Sequence, residues 1–348
     1  MIYNKLQNLS DLKCILIRVD WNKRLGMGHL SRCFELAKKL KKLKITPYFF
    51  LKYDKNTIEL IKEEGFPFFT FLNSSNEEKE VKILINLHHK IKYDCIVIDL
   101  KKHKNKKFFD SLNKICKTVV IDNTNKNSLN ANLIIWPWVK EQYSKNIIKN
   151  NPPKILVGPK YMQLGNFQKN IKKIKLKNSI LVSMGGSDKR NLTVKIIDTF
   201  QKTNYDFHMG VVIGKFFSDK EKIYQIIKND KRFTIISKNK SLISLMSKYK
   251  IGIFSFGITT CEAFFVGLPS FVISHSKEND DYAKKTANYE CMKYLGYYKK
   301  YNFNEMPQTI FSLMKDSKLC KKYTTNGQNM IDGRGNERIA KKIFQMIN

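Results

Sequence analysis

Short apolar runs recur along this chain, and each is followed by a stretch with helical spacing. The first series reads "CILIRV" (14–19), "TPYFFL" (46–51), "PFFTFL" (67–72), "CIVIDL" (95–100), "TVVIDN" (118–123) and "NLIIWP" (132–137), with helical segments near 28–43, 56–64, 77–91 and 106–116 between them. A strand with one solvated face alternates apolar and polar residues. Runs that are apolar throughout are covered on both faces, which in an alternating series means a parallel sheet between two helix layers. A second series follows: "SILVSM" (179–184), "MGVVIG" (209–214), "RFTIIS" (232–237), "KIGIFS" (250–255) and "PSFVIS" (269–274), with helices near 190–202, 219–229, 240–248, 259–266 and 278–294. The fold class expected is α/β with two Rossmann-like doubly wound domains.

A chain of 348 residues is long enough for two such cores. The lysine-rich segment 165–178 has no apolar periodicity and reads as the connection. This gives an N-terminal domain over 1–164, a C-terminal domain over 179–334 and a last helix, 335–348, free to pack back on the first domain. No internal repeat points to a solenoid.

The formal net charge of +34 raises nucleic-acid binding as a function. Its distribution argues against that, because the excess is lysine spread along the whole chain, without a basic stripe carrying arginines and interleaved aromatics. Steering of an anionic small substrate, or loose contact with an anionic membrane surface, fits better. The seven cysteines lack CxxC spacing and sit mostly in apolar runs, as reduced core residues do, and the six histidines stand at no ligand spacing with them. Neither a metal nor a cofactor is expected. Without an 18-residue apolar run or a secretory leader, the expected location is the cytoplasm. Nothing in the sequence fixes an oligomeric state.

Ligands of open α/β sheets bind beyond the carboxyl ends of the strands. The loops to read are therefore 20–28, 99–105, 123–131, 184–190, 255–259 and 275–281. In "VSMGGSDKRNLT" (182–193), Gly185 and Gly186 let backbone amides approach an anion, Ser187 adds a hydroxyl, and Asp188 or Asn191 is placed to cap the next helix. In "SFGITTCEAFFVGLPS" (255–270), Gly257 permits a tight turn, and Thr259 and Thr260 offer hydroxyls and amides to a diphosphate. Glu262 either accepts from ribose hydroxyls or completes a capping box with Thr259. In "RVDWNKRLGMGHLSRCFELA" (18–37), Gly26 and Gly28 clear space for a sugar, and His29 opens a helix. An imidazole at the positive end of a helix dipole is best placed when neutral, and a neutral ring takes a proton from water or a hydroxyl. The alternative is a histidine that only caps its helix.

These segments together resemble the UDP-sugar hydrolases of pseudaminic acid biosynthesis, which remove UDP from a diacetamido-trideoxy-altrose donor. The opening segment is similar to that family's RxD…GxGHxxRCLxLA signature. "LVGPKYMQL" (156–164) resembles its LLGPxYxxL, "VSMGGSDKRNLT" its SMGGxDxxNLT, and "IDGRGNERI" (331–339) its DGxGxxR. The likeness runs from about residue 14 to 340 and implies a GT-B arrangement, as in the lipid-linked sugar transferase of peptidoglycan synthesis, whose SGxLTxxE loop is similar to "SFGITTCE". It implies His29 as the base that activates water, with Asp20, Gly26, Gly28 and Arg32 lining the sugar side. It further implies Gly185, Gly186 and Ser187 near the diphosphate or sugar, Phe256, Gly257, Ile258 and Thr259 on the diphosphate and uridine, and Glu262 on the ribose. Asn279 and Asp280 would face the sugar ring.

Two departures stand out. Family members usually carry Asp-His-Tyr where this chain reads Asp99, Leu100, Lys101, and an Asn-Gln pair is common where it has Asn279 and Asp280. The resemblance thus implies a nucleotide-sugar hydrolase of nonulosonate or related surface-glycan synthesis. A GT-B glycosyltransferase passing the sugar of a UDP-sugar to a lipid or glycan acceptor, and a catalytically silent sugar-nucleotide binder, are the other readings.

Overall fold

The computed structural model describes residues 13–20, 28–72, 76–100, 104–121, 130–138, 154–165, 176–214, 217, 220–237 and 242–348. The chain divides into two compact units, one of residues 1–165 and 334–348, the other of residues 166–333.

Unit 1 is a seven-stranded sheet of β1 (Cys14–Val19), β2 (Thr46–Lys52), β3 (Phe68–Phe71), β4 (Cys95–Asp99), β5 (Lys117–Ile121), β6 (Leu133–Trp136) and β7 (Lys154–Val157). Its order is β3-β2-β1-β4-β5-β6-β7, and all neighbours run parallel. Unit 2 has six strands: β8 (Ser179–Ser183), β9 (His208–Ile213), β10 (Phe233–Ser237), β11 (Ile251–Ser255), β12 (Ser270–Ser274) and β13 (Lys293–Tyr297). They are ordered β10-β9-β8-β11-β12-β13, again all parallel. Both orders are the doubly wound one.

The sequence pattern explains the layers. β1, β4, β6, β8, β11 and β12 are buried at every position, whereas the edge strands β3, β10 and β13 are partly open. In unit 1, Leu16, Ile96, Ile98 and Val120 of the sheet meet Leu84, Leu87, Phe108 and Phe109 of the helices. In unit 2, Val182, Val211, Ile253 and Phe271 meet Ile196, Phe200, Ile223 and Ile310. Each such side chain, once buried, contributes about 1.5–3 kcal/mol. Helices start where a short polar side chain accepts from an early amide: Asp54 from Thr57 N–H, Asn76 from Glu78 N–H and Asn105 from Phe108 N–H.

The structure adds elements that the apolar pattern does not reveal. β7 is four residues between two prolines and Gly158, and β13 contains Gly296 and lies at the edge, so neither has a strong strand signature. The helix expected over 278–294 ends at Ala287, because the following residues turn into β13, and the helix expected over 106–116 stops at Leu112. Helices Met306–Lys315 and Ser317–Met330 complete unit 2. The segment 166–175 of the expected connection lies outside the described residues.

Two of the four motifs behind the family resemblance meet in a joint within unit 1. The helix Gly335–Ile347 packs on the helix Gly28–Lys42 and on the turn after β7. There the buried Asn336 donates to the Leu164 carbonyl at 2.7 Å and accepts from the Gln163 amide at 3.2 Å, and Arg338 donates to the Lys160 carbonyl at 2.8 Å. A Cβ on Gly335 would stand 2.0 Å from the Met162 carbonyl oxygen, so the close approach requires glycine.

Candidate functional site

Where the strand order of a parallel sheet reverses, the loops leaving the two central strands diverge and open a crevice at their carboxyl ends. The reversal falls between β1 and β4 in unit 1 and between β8 and β11 in unit 2. Most of the residues singled out from the sequence leave these four strands.

At the unit 1 crevice, β1 and β4 are in register with Val19 beside Asp99, and the helix Gly28–Lys42 begins just beyond. His29, in its first turn, places Nδ1 2.6 Å from Asp99 Oδ1. Arg32, one turn later, donates from Nε to Asp99 Oδ2 and from Nη2 to Asp99 Oδ1, both at 2.6 Å. Cys33 Sγ donates to Asp99 Oδ2 at 3.4 Å. Asp99 is wholly buried and Arg32 is 5% exposed, while the His29 side chain keeps 26% exposure. Burial pushes the Asp99 carboxyl up, but the charges and hydrogen bonds of Arg32 and His29 outweigh it and hold the group well below the usual carboxylate range. An ionised carboxylate only accepts, so the short contact puts an imidazole hydrogen on Nδ1, and in the neutral ring Nε2 then carries the lone pair. This arrangement suits a general base: ring orientation and tautomer are both fixed by a buried carboxylate.

Asp20 has a different place. It accepts from Arg18 Nη1 at 2.6 Å and Nη2 at 2.8 Å, and from the Lys52 amide at 3.1 Å. Arg18 is 1% exposed and also donates from Nε to Glu80 at 2.6 Å, while Lys104 donates to the second Glu80 oxygen at 2.6 Å. Asp20 therefore balances a buried guanidinium, which holds its carboxyl below the usual range against the effect of burial. Gly28 is the first residue of the His29 helix, and Gly26 lies outside the described residues.

At the unit 2 crevice, two helices begin in different ways. After β8, Gly185 takes a φ of 89°, in the left-handed region, and open space surrounds the Cβ position of both Gly185 and Gly186. Asp188 then accepts from the amides of Leu192 at 3.0 Å and Thr193 at 2.7 Å. The cap of the helix Leu192–Gln201 is thus Asp188, while Asn191 makes no capping bond. With a carboxylate on its first amides, this helix end is a poor anion site, and the amides of Gly185, Gly186 and the partly exposed Ser187 are the groups left to meet one.

After β11, the helix Ile258–Val266 has Gly257 as its N-cap and no capping side chain. Thr259 lies inside the helix, so the capping box with Glu262 is not formed. The Thr260 hydroxyl turns back to the Ser255 carbonyl at 3.1 Å. Gly257, Ile258, Thr259 and Glu262 are half-buried, and Phe256 is buried.

The loop after β12 is tied to this one. Asn279 donates from Nδ2 to the Phe256 carbonyl at 2.8 Å and accepts from the Ser276 hydroxyl at 3.0 Å, so both ends of its amide are engaged within the protein. Asp280 holds Lys284 at 2.6 Å and the Tyr294 hydroxyl. His275 Nδ1 lies 2.6 Å from Ser255 Oγ. Asp99 and the Ser255–His275 pair are the site features that motif reading left without a role. For Asp99 the available signal was an aspartate closing an otherwise apolar strand. For the pair there was none, since Ser255 and His275 are 20 residues apart. Among the described residues, no group of three or more His, Cys, Asp or Glu side chains is placed to hold a metal ion, and no helix is long and apolar enough to cross a membrane.

No protein-family model matches the chain. The uncharacterised protein MJ1062 of Methanocaldococcus jannaschii is 29% identical over 292 residues, which is 78% of this chain and 58% of that protein, so the match spans little more than half of its length. The spore coat polysaccharide biosynthesis protein SpsG of Bacillus subtilis is 22% identical over 338 residues, 93% of this chain and 96% of SpsG. Among solved structures, MurG of Acinetobacter baumannii superposes with a TM-score of 0.74 at 12% identity, covering 96% of this chain and all of MurG. Phytolacca americana UGT2, solved with UDP-2-fluoro-glucose and pterostilbene, gives 0.69 at 10% identity over 97% of this chain and all of UGT2. The chain has the α/β fold of GT-B glycosyltransferases such as MurG, with a Rossmann-like doubly wound sheet in each unit.

Proposed function

We propose that this chain is a GT-B glycosyltransferase of surface-glycan synthesis, using a UDP-sugar donor and His29 as the base that activates an acceptor hydroxyl. The observation that carries the reading is the 2.6 Å contact of His29 Nδ1 with a buried, ionised Asp99, which leaves Nε2 as a proton acceptor. The acceptor oxygen attacks the anomeric carbon, its proton passes to Nε2, and the C–O bond to the diphosphate breaks with its electron pair leaving on UDP. On the donor side, the amides of Gly185, Gly186 and Ser187 and the uncapped start of the Ile258–Val266 helix stabilise the charge that gathers on UDP. Glu262 accepts from the ribose hydroxyls. The likeness to SpsG supports a place in polysaccharide synthesis, and the UDP-sugar in the UGT2 structure supports the donor class.

A second reading has a specific observation in its favour. The four motifs shared with the pseudaminic acid UDP-sugar hydrolases favour water as acceptor and a UDP-linked diacetamido-deoxy sugar as substrate. The chemistry at His29 is the same; only the oxygen that loses the proton differs.

Incubation of the purified protein with UDP-linked acetamido sugars, with and without lipid or glycan acceptors, separates the two by release of free UDP. Release that needs an acceptor supports transfer, and release in buffer alone supports hydrolysis. No release under either condition, with UDP still bound, would reduce the chain to a binding module.

A further inference from the structure

We propose that unit 2 carries a second ligand site, at the amino end of its sheet, for a phosphate monoester on a planar ring body, the class to which nucleoside monophosphates belong. The site lies at the other end of the strands from the loops considered above, and it stands whether or not the donor reading holds.

All strands of this sheet run parallel, so the residues that precede them gather at one end. Asn178, Asp206, Lys250 and Pro269 come shortly before β8, β9, β11 and β12. Between them and the helices Met306–Lys315 and Ser317–Met330 is a cavity of about 710 Å³, within the range of about 300–1,000 Å³ that suits a small molecule. Its walls are fixed from behind. Asp316 caps the second helix by accepting from the Leu319 amide at 2.9 Å, and the Thr324 hydroxyl ties that helix to the Gly267 carbonyl at 3.0 Å. The Lys250 amide donates to Ser179 Oγ at 2.9 Å, and the Arg232 guanidinium donates to the Thr203 carbonyl at 2.5 Å, in the turn that carries Tyr205.

The lining has two parts. Buried Pro269, Phe311 and Met314 form an apolar floor, extended by the Tyr205 ring, which stacks on Phe311 with centroids 4.1 Å apart and planes at 24°. One face of the tyrosine is therefore taken, and its 40% exposure belongs to the other face and the edge, where a second flat ring can stack. Around this floor stand Lys250, Lys315, Lys321, Asp206 and Asn178, whose side chains make no hydrogen bond or ion pair among the described residues. Three ammonium groups against one carboxylate leave an excess of two positive charges, the complement of a phosphate monoester near neutral pH. Lysine serves such a head as a point charge. Asp206 only accepts when ionised, so it calls for a hydroxyl or N–H on the ring body, and Asn178 can meet either a donor or an acceptor.

Calorimetry on the full chain with adenosine 5′-monophosphate, adenosine, inorganic phosphate and decyl phosphate tests the site. The variants are Tyr205→Ala, the triple change Lys250→Met, Lys315→Met and Lys321→Met, and Glu262→Ala as a control at the opposite end of the sheet. The monophosphate should bind more tightly than adenosine or inorganic phosphate. The triple variant should weaken it about ten- to a hundred-fold and leave adenosine unchanged, Tyr205→Ala should weaken the monophosphate and adenosine alike, and Glu262→Ala should change neither.

Absence of monophosphate binding to the wild type overturns the proposal. So does a loss in Glu262→Ala with none in the triple variant, which moves the probe to the carboxyl-end crevice. Decyl phosphate bound as tightly as the monophosphate overturns the ring body in favour of a lipid phosphate. If the triple variant does not fold, as judged by circular dichroism, the double change at the exposed Lys315 and Lys321 decides in its place.

Discussion

The carboxyl ends of the two sheets are built from opposite materials. At the ends of β1 and β4 lie two buried arginines, Arg18 within β1 and Arg32 in the helix that follows it, each neutralised by carboxylates: Arg18 with Asp20 and Glu80, and Arg32 with Asp99. Beyond β8 and β11 stand glycines, hydroxyls and a helix start without a capping side chain. Buried ion pairs fix geometry at a high desolvation cost, which is worthwhile where one proton-accepting atom must be aimed. Open amides carry partial positive charge without side-chain entropy and suit a ligand that brings its own negative charge. On the function proposed above, the first unit would serve proton transfer and the second anion binding, and the contrast can be tested at each point.

Asp99→Asn should have the largest effect. It leaves the Arg32 guanidinium buried without its counter-charge, and the expected loss is about 3–5 kcal/mol of unfolding free energy, read by urea denaturation at neutral pH. The pH dependence has a definite sign. Because the folded state holds this carboxyl below its unfolded pKa of about 3.9, its contribution is fully present above that value and disappears as the pH falls through the folded pKa. The gap between wild type and variant should therefore be constant near neutrality and narrow only in the acid range. A variant as stable as the wild type at pH 7 would mean that the pair does not support the fold.

His29→Ala should lower turnover by about 10²- to 10⁴-fold, while the affinity for UDP stays near the wild-type value, because the ring belongs to the proton-transfer end. Collapse of UDP affinity in this variant would erase the distinction between the two ends. Glu262→Ala is expected to do the reverse, weakening UDP by about 1.5–3 kcal/mol in calorimetry. Should its UDP affinity match the wild type, Glu262 has no ribose to hold.

The smallest effect is expected at Asp188. Removing this cap from the helix Leu192–Gln201 should cost about 0.5–2 kcal/mol of stability, with UDP binding no weaker, since the carboxylate serves the Leu192 and Thr193 amides of the helix. Weaker UDP binding in Asp188→Ala would mean that the capped helix end contributes to the site after all.

The candidate site was legible in part, and the parts differ in kind. Gly185, Gly186 and Gly257 could be singled out because the turns they permit are made by neighbouring residues, and a short stretch of chain supplies each turn. His29 was visible as a helix-opening histidine, but the group that gives it a direction was not. Asp99 lies 70 residues away and joins it only through the pairing of β1 with β4. Asp20 shows the converse. A motif position expected to face the sugar is taken up by Arg18, a contact that composition and spacing do not reveal.

The sequence by itself determined the two alternating series, and with them two parallel sheets, because a strand that is apolar on both faces has few other ways to be covered. It also determined where helices such as Lys55–Glu63, Glu77–Ile91 and Lys106–Leu112 begin, since a cap and the amide it serves lie within a few residues. Only the tertiary structure decided the strand order, the edge strands β7 and β13, the joint between Asn336 and Leu164, and the pairs His29–Asp99 and Ser255–His275. The reason is physical: local preferences act over a few residues, whereas these contacts join residues that only the packing of complete sheets and helices brings within hydrogen-bond reach.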